Sequence, residues 1–159
     1  MTNLEMLEDT ADQEGIPIDT IRFESERIKG LYCDGNIALS ADLETSADRS
    51  AVLAEELGHH YTSSGIILDM NDIGNRKQEL QARIWAYNRL IGLQGLIAAH
   101  RHGCRNRYEA AEYLGVTEEL LEEAVNYYRG KYGIMYQIDN YVVYFEPLGI
   151  FEEIEPIIQ

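Results

Sequence analysis

Two acids and two histidines lie close together within an otherwise apolar, helix-forming stretch, Ser46 to Gly65. Residues four apart on a helix share a face, so Glu55 and His59 are expected to point the same way. Glu56 is turned from Glu55 by about 100°. This spacing is that of the zinc-peptidase signature H-E-x-x-H, in which positions one and five bind the metal and position two is the general base. Here a glutamate stands at the first position, in the run Glu55-Glu56-Leu57-Gly58-His59-His60.

A third ligand can come from Glu79, twenty residues after His59 on a second predicted helix. Three protein ligands and a water make a catalytic zinc site. A site of Glu55, His59 and Glu79 would leave Glu56 free to take a proton from that water. The other register pairs Glu56 with His60 and puts a leucine at the base position. Leucine cannot accept a proton, so the first register is preferred.

The glutamate at position 55 changes the chemistry expected of such a site. Two carboxylates and one imidazole make a harder, more anionic ligand set than two imidazoles and one carboxylate. The sequence predicts zinc, with Mn²⁺ or Fe²⁺ as alternatives. Added negative ligand charge should make the bound water less acidic, so weak peptidase turnover is expected.

Hydrophobic periodicity and turn residues predict the elements around these groups. We expect the motif helix to begin with Thr45 or Ser46 as its cap. Asp34-Gly35 and Asp139-Asn140 are typical of hairpin turns. We expect helices over 1–14, 75–98, 107–114 and 117–129, strands over 20–23, 28–33, 36–41 and within 134–145, and an exposed loop over 66–74.

These elements predict an α+β fold, with a helical zincin-like core, a small N-terminal antiparallel sheet and a C-terminal β-hairpin. The length of 159 residues suits one domain. We assign that domain to 1–146 and a C-terminal tail to 147–159. Within the domain, 1–44 holds the first helix and the sheet, 45–99 the two-helix core, and 106–131 accessory helices.

The formal net charge of −15 restricts the partners. Nucleic acids and anionic membrane surfaces are both negatively charged, so direct binding to either is not expected. No run is long and apolar enough to span a bilayer, and Met1 to Glu5 lacks a signal-peptide pattern. Cys33 and Cys104 give neither a disulfide framework nor a metal clip. We therefore expect a cytoplasmic protein with a protein partner.

The motif helix and the second predicted helix resemble the ImmA/IrrE family of metallopeptidase-like proteins. The likeness extends over 49–93, and the helical segment 108–128 is similar to phage and mobile-element members. It is carried by the runs Leu53-Ala54-Glu55-Glu56-Leu57-Gly58-His59-His60-Tyr61, Asn75-Arg76-Lys77-Gln78-Glu79 and Ala82-Arg83-Ile84-Trp85-Ala86.

The resemblance implies residue roles and a partner. Glu56 corresponds to the family's catalytic glutamate, His59 to its second histidine ligand and Glu79 to its third ligand. Glu55 stands where the family has a histidine. Family members act on helix-turn-helix repressors of phage and mobile elements, by cleavage in some cases. The chain is thus expected to be a zinc metallo-endopeptidase acting as an anti-repressor, or a binding-only descendant without metal. The replacement of that histidine by Glu55 is expected to affect peptide cleavage more than it affects the fold or the choice of partner.

Other candidate residues have structural alternatives. The segment 108–128 has the rhythm of a helix-turn-helix, but acids occupy its second helix where a DNA reader needs cations. Packing helices are the favoured interpretation. His60 is either a residue that lines the cleft or contacts the metal ligands, or a partly exposed helix residue. Tyr61 and Tyr141 are possible transition-state donors, and the two histidines His100 and His102 suit a helix C-terminus.

Overall fold

The chain has the α+β fold that the sequence predicts, in a computed structural model that describes residues 1–62 and 73–153. The predicted loop over 66–74 therefore lies outside the described residues, except for its last two positions, which belong to a helix. In chain order the described elements are α1 (Asn3–Gln13), β1 (Ile18–Ile21), β2 (Gly30–Cys33), β3 (Asn36–Ser40), α2 (Ser46–Thr62), α3 (Ile73–Leu90), α4 (Gly92–His102), α5 (Arg107–Leu114), α6 (Glu118–Tyr132), β4 (Met135–Ile138), β5 (Tyr141–Phe145) and β6 (Leu148–Glu152).

The N-terminal sheet has β3 at its centre, in the order β1-β3-β2. The predicted hairpin is confirmed, because Asp34 and Gly35 have φ of 54° and 78°, as a two-residue hairpin turn requires. β1, however, runs parallel to β3, so the prediction of a fully antiparallel sheet is wrong for this strand. β3 carries the buried Ile37 and Leu39, and a strand is added on each side of it. The turn residues between β2 and β3 specify their hairpin, but they do not specify on which side of β3 the strand β1 pairs.

α2 is the central helix, packed against α1, α3, β2 and β3. Its side chains Leu53 and Leu57 are fully buried. At Gly58 the backbones of α2 and α3 touch, because a Cβ there would lie 2.4 Å from the carbonyl oxygen of Ala82. Ala82 and Ala86 are buried, and these small side chains let the two helices approach closely.

The second long helix is broken near its middle, so the prediction of one helix over 75–98 is wrong. α3 ends at Leu90, and Gly92 adopts a left-handed backbone with φ of 64°. The backbone N–H of Gly92 donates to the hydroxyl of Tyr128 at 3.1 Å, and that hydroxyl donates to Asn88 at 3.0 Å. A side chain from α6 thus provides the hydrogen bonds at the break, which helical periodicity alone does not reveal.

The C-terminal part confirms the two accessory helices and the hairpin. The Oγ1 of Thr117 accepts the N–H of Leu120 at 3.0 Å and caps α6. β4 and β5 form the predicted hairpin around a left-handed Asp139, and β6 adds a third antiparallel strand. This strand lies inside the segment assigned to the tail. Among the described residues, no helix combines the length and the apolar character needed to cross a membrane.

Candidate metal centre

α2 begins where its capping residue predicts. The Oγ1 of Thr45 accepts the N–H of Asp48 at 3.0 Å and donates to its carboxylate at 2.7 Å. From this start, the helical period directs Leu53 and Leu57 into the core. Glu56 is buried on the same helix, with 8% of its surface exposed.

The structure brings Glu55, His59 and Glu79 together. Each offers one ligand atom, and these atoms all lie within 4.8 Å of one another. Within this group, His59 Nε2 lies 3.2 Å from Glu79 Oε1. The contact between Gly58 and Ala82 sets this geometry, because it holds α3 close enough for Glu79 to reach α2.

The three residues fit a divalent metal by their chemistry. One imidazole nitrogen and two carboxylate oxygens are ligands that zinc accepts, at about 2.0 to 2.2 Å. The side chain of His59 is buried, while those of Glu79 and Glu55 keep 20% and 33% of their surfaces exposed. The group therefore has a closed side formed by the helix core and an open side that a water and a substrate can reach.

Without a metal, the charges of the cluster are balanced within it. Burial opposes the charged form of His59, but the hydrogen bond to Glu79 and the charges of three glutamates raise its pKa above the usual value. The same hydrogen bond lowers the pKa of Glu79. The His59–Glu79 pair thus favours an imidazolium beside a carboxylate.

Glu55 is held differently, between an acid and a cation. Burial raises the pKa of its carboxyl, Arg83 lowers it, and the charge and hydrogen bond of Glu79 raise it further. Arg83 Nε lies 3.6 Å from Glu55 Oε1. Sequence reasoning did not identify Arg83, although its position four residues after Glu79 was a signal that could have done so.

Glu56 has the electrostatics of a general base. Burial raises its pKa to about 7, against the attraction of His59, and the charges of Glu55 and Glu79 add to the rise. A hydrogen bond from the backbone N–H of Tyr32 acts in the opposite direction. A base works best with a pKa near the operating pH.

The edge strand β2 reaches the site through Tyr32 and Gly30. A Cβ at Gly30 would lie 3.1 Å from Cγ of Glu56 and 2.5 Å from Val52, so this glycine lets the strand approach α2. The hydroxyl of Tyr32 hydrogen-bonds Nδ1 of His60 at 2.9 Å. Neither Tyr32 nor Gly30 was identified from sequence, because their role depends on pairing across the fold.

His60 lies on the side of α2 that faces α1. Its Nε2 is 3.5 Å from Glu14 Oε2, and its ring meets Tyr32 and Tyr61 edge to face. Its described contacts thus run to α1 and β2 rather than to the ligand atoms. A role for His60 in supporting the site remains a prediction. The described contacts that connect it to the site are its hydrogen bond to the Tyr32 hydroxyl and the bond from the Tyr32 backbone to Glu56.

The two tyrosines suggested as donors lie in different elements, α2 and β5. Tyr61 stacks on Trp85, with ring centroids 5.1 Å apart. Tyr141 lies in β5, in the other sheet. His100 and His102 stand in the last turn of α4, as expected for a helix C-terminus, and His102 stacks on Tyr113.

The helix-turn-helix rhythm of 108–128 corresponds to α5 and α6, which pack against each other around a left-handed Gly115. The buried face of α6 is apolar, with Leu121 and Ala124 fully covered. Its exposed positions include four acids, Glu118, Glu119, Glu122 and Glu123. This arrangement favours a packing role over a DNA-reading one.

The family is shown by a comparison of the whole chain. No curated protein and no solved structure matches the sequence. The model of the IrrE N-terminal-like domain matches residues 11–126, well over half of the chain. The match runs from the end of α1 into α6 and contains Glu55, Glu56, His59 and Glu79. The chain therefore belongs to the IrrE N-terminal-like family of metallopeptidase-like proteins.

Proposed function

We propose that the chain is a zinc-dependent metallo-endopeptidase in which Glu55, His59 and Glu79 hold the metal and Glu56 is the general base. The observation that carries the proposal is the convergence of three ligand atoms within 4.8 Å, beside the buried carboxyl of Glu56. Mn²⁺ and Fe²⁺ remain possible ions, because two of the three ligands are carboxylates.

Each residue has its own part in the proposed reaction. A bound zinc ion supplies Lewis-acid chemistry, polarising a peptide carbonyl and making water more acidic. Glu56 takes the proton from the attacking water and passes it to the leaving amine. The backbone N–H of Tyr32 and the charge of His59 favour the ionised carboxylate, and burial keeps its basicity high.

The substrate in this proposal is a helix-turn-helix repressor of a phage or mobile element. Support comes from the resemblance to ImmA/IrrE proteins that act on such repressors, and from the net charge of −15, which suits a partner with a basic DNA-binding face. The acids of α6 argue against direct contact with DNA. A repressor partner also implies a cytoplasmic protein.

A second candidate is a binding-only anti-repressor of the same fold, without metal. This candidate is favoured by the ion pairs within the cluster, because His59 pairs with Glu79 and Glu55 pairs with Arg83 without a metal. In this case the charged groups would stabilise the contact of α2 with α3 and contribute no chemistry.

Metal content and one substitution separate the two candidates. The enzyme predicts near-stoichiometric zinc by elemental mass spectrometry, lost in His59→Ala. Glu56→Gln should keep the metal but lose repressor cleavage, because glutamine does not accept a proton at neutral pH. A protein that takes up no zinc even when it is supplied, and binds repressor equally well with and without Glu56, would establish the binding-only candidate.

A further inference from the structure

Arg83 stands beside the proposed ligands without being able to bind a metal itself. It follows Glu79 by four residues on α3, so the two side chains share a face of that helix. Its Nε lies 3.6 Å from Glu55 Oε1, and about half of its side chain is exposed. The guanidinium is always charged, so it places one permanent positive charge at the rim of the cluster.

The charge count gives Arg83 a role that an ordinary surface ion pair lacks. The H-E-x-x-H signature with a third glutamate has two neutral imidazoles and one carboxylate. In this chain Glu55 replaces one imidazole and adds a negative charge. Arg83 adds a positive charge next to that same carboxylate and restores the net charge of the signature.

We propose that Arg83 is the counter-charge of Glu55, so that the Glu55–Arg83 pair presents a metal with the net charge of a single histidine ligand. This rests on the proposed metal site and adds the residue that sets its charge. Arg83 is a positioning residue in this role, because it acts through Glu55. Its exposure leaves the guanidinium hydrated at the rim, where it does not take up the ligand positions.

The test is the affinity for Zn²⁺, measured by competition with a chromophoric chelator at one fixed pH near neutrality. Arg83→Gln should bind Zn²⁺ more tightly, on the order of tenfold, because a cation no longer repels the dication. Arg83→Lys should stay near wild type, since it keeps the charge. Added salt should shrink the difference, because the charges are partly exposed. Arg89→Gln, which removes an exposed arginine from the last turn of α3, is the matched control and should have no effect.

Substitutions at both position 55 and position 83 test whether the charges of Glu55 and Arg83 compensate each other. Glu55→His alone leaves Arg83 uncompensated beside a neutral ligand, so its Zn²⁺ affinity should fall below that of Glu55→His combined with Arg83→Gln. Circular dichroism of each variant checks that the fold is kept.

The outcomes separate this inference from the proposed function. If wild type binds Zn²⁺ and Arg83→Gln binds it equally or more weakly, Arg83 is not a counter-charge although the metal site stands. If wild type binds no Zn²⁺, both proposals fall. Tighter binding by Arg83→Gln that disappears in high salt supports the counter-charge.

Discussion

Glu56→Gln is expected to stabilise the metal-free protein at neutral and higher pH while leaving its stability in acid unchanged. The carboxyl of Glu56 is buried, and burial raises its pKa from 4.5 to about 7, although His59 opposes the rise. Glutamine has nearly the same shape and can still accept the N–H of Tyr32. It carries no charge that burial would penalise.

The direction of the effect is set by proton binding. Between about pH 4.5 and pH 7 the folded protein keeps a proton on Glu56 that the unfolded chain has released. The free energy of unfolding of wild type must therefore fall as the pH rises through this window. At about 1.4 kcal/mol per pH unit the loss comes to about 3 to 4 kcal/mol. With only 8% of the residue exposed, solvent screening removes little of it.

The assay is urea unfolding in the presence of a chelator, at a series of pH values that brackets this window. The curves of wild type and Glu56→Gln should coincide below about pH 4.5 and separate steadily up to about pH 7. Glu119→Gln, at an exposed position of α6, is the matched control and should run parallel to wild type. Parallel curves for wild type and Glu56→Gln would refute the reasoning, because they would mean that Glu56 releases its proton at the same pH in the folded protein and in the unfolded chain.

Three further substitutions, the first with a control variant, test contacts within the fold. Gly58→Ala should lower the free energy of unfolding in urea by about 1 to 3 kcal/mol and weaken Zn²⁺ binding, because the new Cβ meets the backbone of α3. Its control, Gly130→Ala, has open space at the Cβ and should raise the free energy of unfolding by about 1 kcal/mol. Tyr32→Phe should cost about 1 kcal/mol through its lost bond to His60, yet leave the NMR-monitored pKa of Glu56 unchanged, because the backbone N–H remains. Tyr128→Phe should cost about 1 to 3 kcal/mol in urea unfolding, since it leaves the N–H of Gly92 without its acceptor.

Sequence could predict the parts of the site that are encoded locally. A cap at Thr45 and an apolar period define α2, and the spacing of four residues puts Glu55 and His59 on one face. Glu79, twenty residues after His59 on a second predicted helix, was the candidate for the third member of the group. The structure brings these three residues together, while their role as ligands stays a prediction.

The remaining features depend on partners distant in the chain. The break at Gly92 is stabilised by Tyr128, 36 residues away, and a lone glycine costs a helix only about 1 kcal/mol, so periodicity continues through it. The parallel pairing of β1 was missed because strand order depends on the whole sheet. The hydrogen bond of Tyr32 to Glu56 belongs to its backbone, which carries no signature in the residue type.

The position of Gly58 links the stability of the fold to the geometry of the site. It adjoins His59, and its partner Ala82 lies three residues after Glu79, so a backbone contact between α2 and α3 lies within one helical turn of the ligand residues. A backbone-to-backbone contact is stiffer than one made by flexible side chains, because no rotamer change can absorb a displacement. The main chain therefore sets the spacing of the two helices that carry His59 and Glu79 before any ion binds, as a preorganised site requires. A larger residue at position 58 must move α3 and its glutamate together.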